Sequence, residues 1–227
     1  MSSTLYELSP RLEMVAGLAA GARCLADVGC DHGLLSIWLL EHAGAERAIA
    51  SDVRPGPLAA ARRNAAGRGL GGRIRFELCD GLDFPGAEEA DTVVIAGMGG
   101  ETMAGILSRA QWTKRGAVLV LQPQSKLDEL CLWLAGSGYR LETARLAAEG
   151  RRLYPAMRVI GGAESEVYAE DALLRGKDPL LGEWLEQRLQ RAHRALAGVE
   201  QGRDRARDEA LRAEIGRLEE IKGRMRF

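Results

Sequence analysis

Asp27-Val-Gly-Cys-Asp-His-Gly33 stands where a buried apolar segment gives way to a helical one. Residues 23–30 (Arg-Cys-Leu-Ala-Asp-Val-Gly-Cys) read as a buried strand ending in glycine, and residues 33–43 as the helix that follows. Gly29 allows a tight turn, and Gly33 lets the helix come close to the strand. The backbone N–H groups at the helix start face outward, ready for a polar or anionic ligand end. Asp52 lies 19 residues beyond Gly33, closing the short strand Ala48-Ile-Ala-Ser-Asp52. A carboxylate there can accept hydrogen bonds from both ribose hydroxyls. The two features define a nucleoside-cofactor site in a Rossmann-like sheet, and leave a choice between a nicotinamide dinucleotide and S-adenosylmethionine.

Outward from this stretch, short apolar runs alternate with helical patterns. A helix is expected over Pro57–Arg68, with proline near its first turn where a missing N–H costs little. Further strands are expected at Ile74–Leu78, Thr92–Ala96 and Ala117–Leu121, with helices over Gly100–Ala110 and Lys126–Ser137. Strands spaced in this way by helices form βαβ crossovers and a parallel sheet, so residues 1–162 read as a doubly wound α/β domain. Tyr139–Ala147 and Tyr154–Gly161 suit a closing antiparallel pair. From residue 163 to 227 strand signals vanish. Leu185, Leu189, Ala192, Leu196 and Val199 step by 4, 3, 4 and 3, and Leu211, Ile215, Leu218 and Met225 resume a similar seam beyond Gly202. An antiparallel helical hairpin resembling a coiled coil is expected there. It is either a packing element or an arm that helps hold a large substrate.

Three details favour S-adenosylmethionine. The loop is D-x-G-x-x-x-G and lacks the middle glycine that lets a backbone approach a pyrophosphate. Its side chains, Asp27, Asp31 and His32, would repel a diphosphate but suit an ammonium and a sulfonium. Cys79-Asp-Gly81 follows the next strand, where Asp80 can read the adenine amino group. Ala96-Gly-Met-Gly-Gly100 then closes the fourth strand at the end of the sheet where open α/β folds bind ligands. Its glycines strip side chains from a surface on which a flat group can lie. Leu121-Gln-Pro-Gln124 ends the fifth strand and offers hydrogen bonds to a substrate base.

Composition bounds the rest. The 227 residues carry 31 Lys+Arg against 32 Asp+Glu, a net charge of −1 that argues against a generic nucleic-acid coat. It leaves room for a local basic face, and Arg54, Arg62, Arg63, Arg68, Arg73 and Arg75 form an interval with no acidic residue between Asp52 and Glu77. Phosphate binding is its functional reading, and a solvated helix face its structural one. No run approaches ~20 apolar residues, so no membrane span is expected. The four cysteines form no CxxC pair and the three histidines stand apart, which argues against a metal site and suits a reducing cytoplasm.

Taken in order, Leu8-Ser-Pro-Arg-Leu12, Asp27-Val-Gly-Cys-Asp-His32, Asp80-Gly81, Ala96-Gly-Met-Gly-Gly100 and Leu121-Gln-Pro123 resemble the bacterial tRNA (adenine-22-N1)-methyltransferase family. The resemblance covers about residues 5–160 by motif and reaches the C-terminal arm by layout. Cys30 stands where the family often has serine, and Leu35-Ser36 where Leu-Pro is common. The resemblance implies a Rossmann-like S-adenosylmethionine-dependent methyltransferase that modifies N1 of adenine 22 in tRNA. Another RNA position, another acceptor, or a catalytically silent cofactor-binding module are the competing readings.

The expected cofactor contacts are Arg11, Asp27, Gly29, Cys30, Asp31, Gly33, Asp52, Val53, Asp80, Gly81, Ala96, Gly97, Met98 and Gly99. Asp31, assisted by His32, is the expected catalytic group, its carboxylate stabilising the cationic product base. Gly99, Gly100, Gln122, Pro123, Arg62, Arg63 and Arg68 are expected to meet the substrate. A cytoplasmic monomer or weak dimer acting on tRNA is expected, with no metal and no membrane.

Overall fold

The structure, a computed structural model, describes residues 7–162, 168–199 and 205–225. It divides into two compact units, Met1–Ala169 and Glu170–Phe227. The 162/163 boundary expected from the sequence borders residues 163–167, which lie outside the described residues.

The first unit is built on a seven-stranded sheet ordered β3-β2-β1-β4-β5-β7-β6. After helix α1 (Pro10–Leu18) the strands β1 (Cys24–Val28), β2 (Arg47–Asp52), β3 (Ile74–Leu78), β4 (Thr92–Gly99) and β5 (Val118–Ser125) run parallel. Helices α2 (Leu34–His42), α3 (Pro55–Gly67), α4 (Gly100–Arg109) and α5 (Leu127–Gly136) join or follow them. The expected closing pair is β6 (Tyr139–Glu149) and β7 (Arg152–Gly161), antiparallel to each other, with β7 antiparallel to β5. All five residues of β1 are buried, and Val93, Val94 and Ile95 of β4 are fully so, as a strand covered on both faces requires.

The site-positioning feature is the break in strand order. From β1 the chain steps to β2 and β3 on one side, then returns to β4 on the other. The loops leaving β1 and β4 therefore diverge, and a cleft opens at their carboxyl ends. Several strands run further than the sequence pattern implied, β4 and β5 most of all. β4 continues through the glycines to Gly99 because β5 pairs with it that far, with a bulge between Ala96 and Met98. Gly97 sits at that bulge with φ 79°, a left-handed conformation that glycine adopts without steric cost.

In the second unit, α6 (Ala169–Arg175) precedes α7 (Leu181–Val199) and α8 (Arg205–Arg224). Glu186 meets Lys222 and Arg188 meets Glu214, so rising numbers on α7 pair with falling numbers on α8, an antiparallel hairpin. Leu185, Ala192, Ile215 and Leu218 are buried in the expected way. Met225, expected in the seam, is instead exposed, and Ile221 takes the buried place one turn earlier. Gly202, the expected interruption, lies outside the described residues.

Candidate active site

The β1–α2 loop builds one wall of the cleft. Gly29 (φ 70°) and Cys30 donate their N–H groups to Ser51 O at 2.8 and 3.0 Å, pinning the loop to the end of β2. A Cβ on Gly29 would run into the Met98 side chain. Gly33, also at φ 70°, heads α2, and a Cβ there would lie 2.9 Å from Ala61 Cβ. Its close approach is thus to α3, not to a strand, and it does not line the cleft.

Asp27 is buried and accepts a 2.7 Å hydrogen bond from Ser36 Oγ. Burial pushes its carboxyl up to about 6, against that hydrogen bond, which favours the charged form. Burial likewise pushes the Cys30 thiol up, leaving it a neutral wall residue. Asp31 turns outward at φ 48°, with His32 Nε2 at 3.7 Å from its Oδ1, and both side chains are more than half exposed.

The second wall comes from β2 and β3. Asp52 is 5% exposed at the end of β2, its Oδ1 accepting from Arg54 N at 2.8 Å. Val53 beside it is 61% exposed, an apolar surface at the cleft lip. Asp80 is ion-paired with Arg109 at 3.0 Å, and Gly81 packs so tightly on Ile106 that a Cβ would approach it to 2.8 Å.

The floor is held by Arg11. Ser9 caps α1 and Pro10 opens it, so Arg11 projects from the first turn. Glu149 of β6 accepts from Arg11 N at 3.1 Å and fixes that turn. Hydrogen bonding from Ser9 and from the Arg11 backbone holds the Glu149 carboxyl below its usual range. Arg11 Nη1 donates to Gln122 Oε1 at 3.0 Å, and the same oxygen accepts from Gly97 N at 3.2 Å. Gln122 Nε2 closes the set on Pro123 O at 3.1 Å.

Together these elements enclose a cleft of about 600 Å³. It gathers Arg11, Asp27, Gly29, Cys30, Asp31, His32, Asp52, Val53, Asp80, Gly81, Ala96, Gly97 and Met98 from the expected set. Other expected residues stand elsewhere. Gln122 and Pro123 are buried, and the Gln122 amide is committed to holding Arg11 and the Gly97 bulge. Gly99 and Gly100 head α4, and a Cβ on buried Gly100 would collide with Lys126 O. Arg68 is bonded to Glu41 at 2.9 and 3.2 Å, and Arg62 reaches Phe76 O at 3.2 Å across the Phe76 ring. Arg63 is exposed with no hydrogen-bond or ion-pair partner among the described residues. Arg73 and Arg75 are also tied to neighbours, so most of the uniform-sign interval is matched by groups distant in sequence. Ser51, Thr102 and Ile106 line the cleft without having been singled out as contacts, and Gln124, of the stretch expected to meet a substrate base, lines it too.

The donor set fits S-adenosylmethionine. Four aspartates face the cleft against two arginines, suiting a ligand that carries an ammonium and a sulfonium. Asp52 offers a buried carboxylate for a ribose, Val53 an apolar face for a base, and the side chain missing at Gly29 leaves the loop backbone bare. Arg11 Nε is buried without a hydrogen bond and stands 3.8 Å from Glu149 Oε2, so Glu149 partly matches the Arg11 charge. Among the described residues no cluster could hold a metal ion. Fold and cleft define a Rossmann-like S-adenosylmethionine-dependent methyltransferase.

Residues 8–157 match a methyltransferase-domain family. The chain is 31% identical over 171 residues to the tRNA (adenine(22)-N(1))-methyltransferase of Bacillus subtilis, covering 75% of this chain and 72% of that protein. The crystal structure of the Bacillus subtilis m1A22 tRNA methyltransferase TrmK superposes with a TM-score of 0.82 at 26% identity, over 95% of this chain and 98% of that one. Streptococcus pneumoniae Sp1610, solved with S-adenosyl-L-methionine, gives 0.79 at 28% identity over 95% and 99%. The chain belongs to the tRNA (adenine(22)-N(1))-methyltransferase family.

Proposed function

We propose that this protein methylates N1 of adenine 22 in tRNA. The observation that carries the reading is the cleft at the β1/β4 break, which joins buried carboxylates to a bare glycine bulge in a chain of this family. S-adenosylmethionine supplies a methyl group on a sulfonium. Asp52 holds the ribose, Val53 and Asp80 hold the adenine ring and its amino group, and Asp27 with Arg11 hold the charged amino-acid end.

The acceptor nitrogen has its own lone pair, so no residue has to remove a proton before attack. Positioning then supplies most of the acceleration. The product base is cationic, and Asp31, at the open rim with His32 beside it, is placed to offset that charge. The bare backbone at Gly97 lets a flat base lie against the wall. A base within folded tRNA has to leave its stack to enter the cleft, at a cost of a few kcal/mol. We assign Arg63, with its uncommitted guanidinium, to the phosphate backbone, and Arg62 to a lesser share of it. No helix among the described residues is long and apolar enough to cross a membrane. Action in the cytoplasm, where unmodified tRNA is found, follows from this substrate.

Labelled methyl transfer from S-adenosylmethionine to an unmodified tRNA transcript, followed by nuclease digestion, tests the reading. 1-Methyladenosine is expected from the tRNA and none from free adenosine. Equal transfer to the free nucleoside would remove tRNA as the substrate.

A further inference from the structure

We infer that Gln124 selects the acceptor base, reading the N6–N7 edge of the target adenine and leaving N1 free for methylation. The inference rests on the acceptor proposed above and goes beyond it by naming the specificity-determining group.

Three observations carry it. Gln124 is the one side-chain amide lining the cleft among the described residues, and it is exposed there without a hydrogen-bond partner. Gln122, two residues earlier on β5, is fully buried and its amide is spent on Arg11, Gly97 and Pro123. Gln124 Nε2 also lies 3.7 Å from the point where a Gly97 Cβ would stand, beside the bare bulge on which a flat base can rest.

The chemistry then selects. A carboxamide presents one acceptor and two donors from a planar group. Adenine offers an N6–H donor next to the N7 acceptor, and a glutamine amide meets both at once. Guanine offers two acceptors on that edge, O6 and N7, so the amide oxygen would face a lone pair. N1 lies on the far side of the ring from N7, so this grip blocks nothing in the methyl transfer. The second N6 hydrogen, on the N1 side, remains available to Asp31. A bidentate contact of this kind discriminates by roughly 1–3 kcal/mol, or about 5- to 150-fold.

The test pairs a protein variant with an atom change in the substrate. Transcripts carrying adenine or 7-deazaadenine at position 22 are methylated by the wild-type enzyme and by Gln124→Ala, with cofactor affinity measured by calorimetry. The wild type is expected to lose about tenfold or more in kcat/KM on 7-deazaadenine. Gln124→Ala is expected to show a similar loss on adenine, little further loss on 7-deazaadenine, and unchanged cofactor affinity. An undiminished 7-deaza effect in Gln124→Ala, or none in the wild type, overturns the inference while the acceptor stands. A wild-type enzyme that does not methylate the adenine transcript overturns the acceptor reading, and this one with it.

Discussion

Asp27 carries the residue-scale argument. Burial raises its carboxyl from 3.8 to about 6, so the folded chain holds that proton more tightly than the unfolded chain does. Its ionisation therefore weakens the fold as pH rises from about 4 to about 6, and above that window the cost is constant. A cation beside Asp27 reverses the preference, favouring the carboxylate. Cofactor affinity measured by calorimetry should thus climb from pH 5 to pH 7, by up to about tenfold per unit below the midpoint. Asp27→Asn should flatten the profile and weaken binding at neutral pH. A wild-type affinity that is level across that range would remove Asp27 from the ligand. This residue was legible in the sequence because its signal is local: an acid, a strand end and two glycines within seven positions. Gln124 was less so. Strand alternation places Gln122 and Gln124 on one side of β5, and only depth separates the amide that holds the wall from the one that meets the cleft. Depth depends on Arg11 and Gly97, more than 20 residues away in the chain.

At the scale of elements, hydrophobic runs and glycine punctuation marked β1 to β5 and their helices within a few residues, because buried parallel strands are apolar along their length. The glycine-rich end of β4 did not read as strand. It is one because β5 supplies hydrogen-bond partners as far as Ser125, a pairing no local window contains. Part of the arginine interval is matched within the fold for a related reason. Arg68 finds Glu41 only once α2 and α3 are packed together. In the hairpin, the heptad seam was legible while its ionic core was not. Glu170 of α6 is fully buried and receives Arg188 Nη1 at 2.6 Å and Arg217 Nη1 at 3.0 Å. Removing one partner of such a set leaves buried charge uncompensated, at about 3 kcal/mol or more. Glu170→Ala should speed hydrogen exchange in α7 and α8 and leave cofactor affinity unchanged, since no cleft residue comes from those helices. Unchanged exchange would show that the ion cluster contributes little to holding the hairpin.

At the scale of the whole molecule, fold and chemistry meet at one place. The doubly wound order brings the ends of β1, β2 and β4 around a single cleft, and that cleft holds carboxylates suited to a cationic methyl donor. The position number of the acceptor is not written in any spacing of side chains; it comes through the family to which the chain belongs. The most direct measurement compares labelled methyl transfer to an unmodified tRNA transcript carrying adenine at position 22 with transfer to the same transcript carrying guanine there. Methylation of the adenine transcript alone is the predicted result. Equal methylation of both would place the reactive base elsewhere in the tRNA, and transfer to neither, with S-adenosylmethionine bound, would contradict the proposed activity.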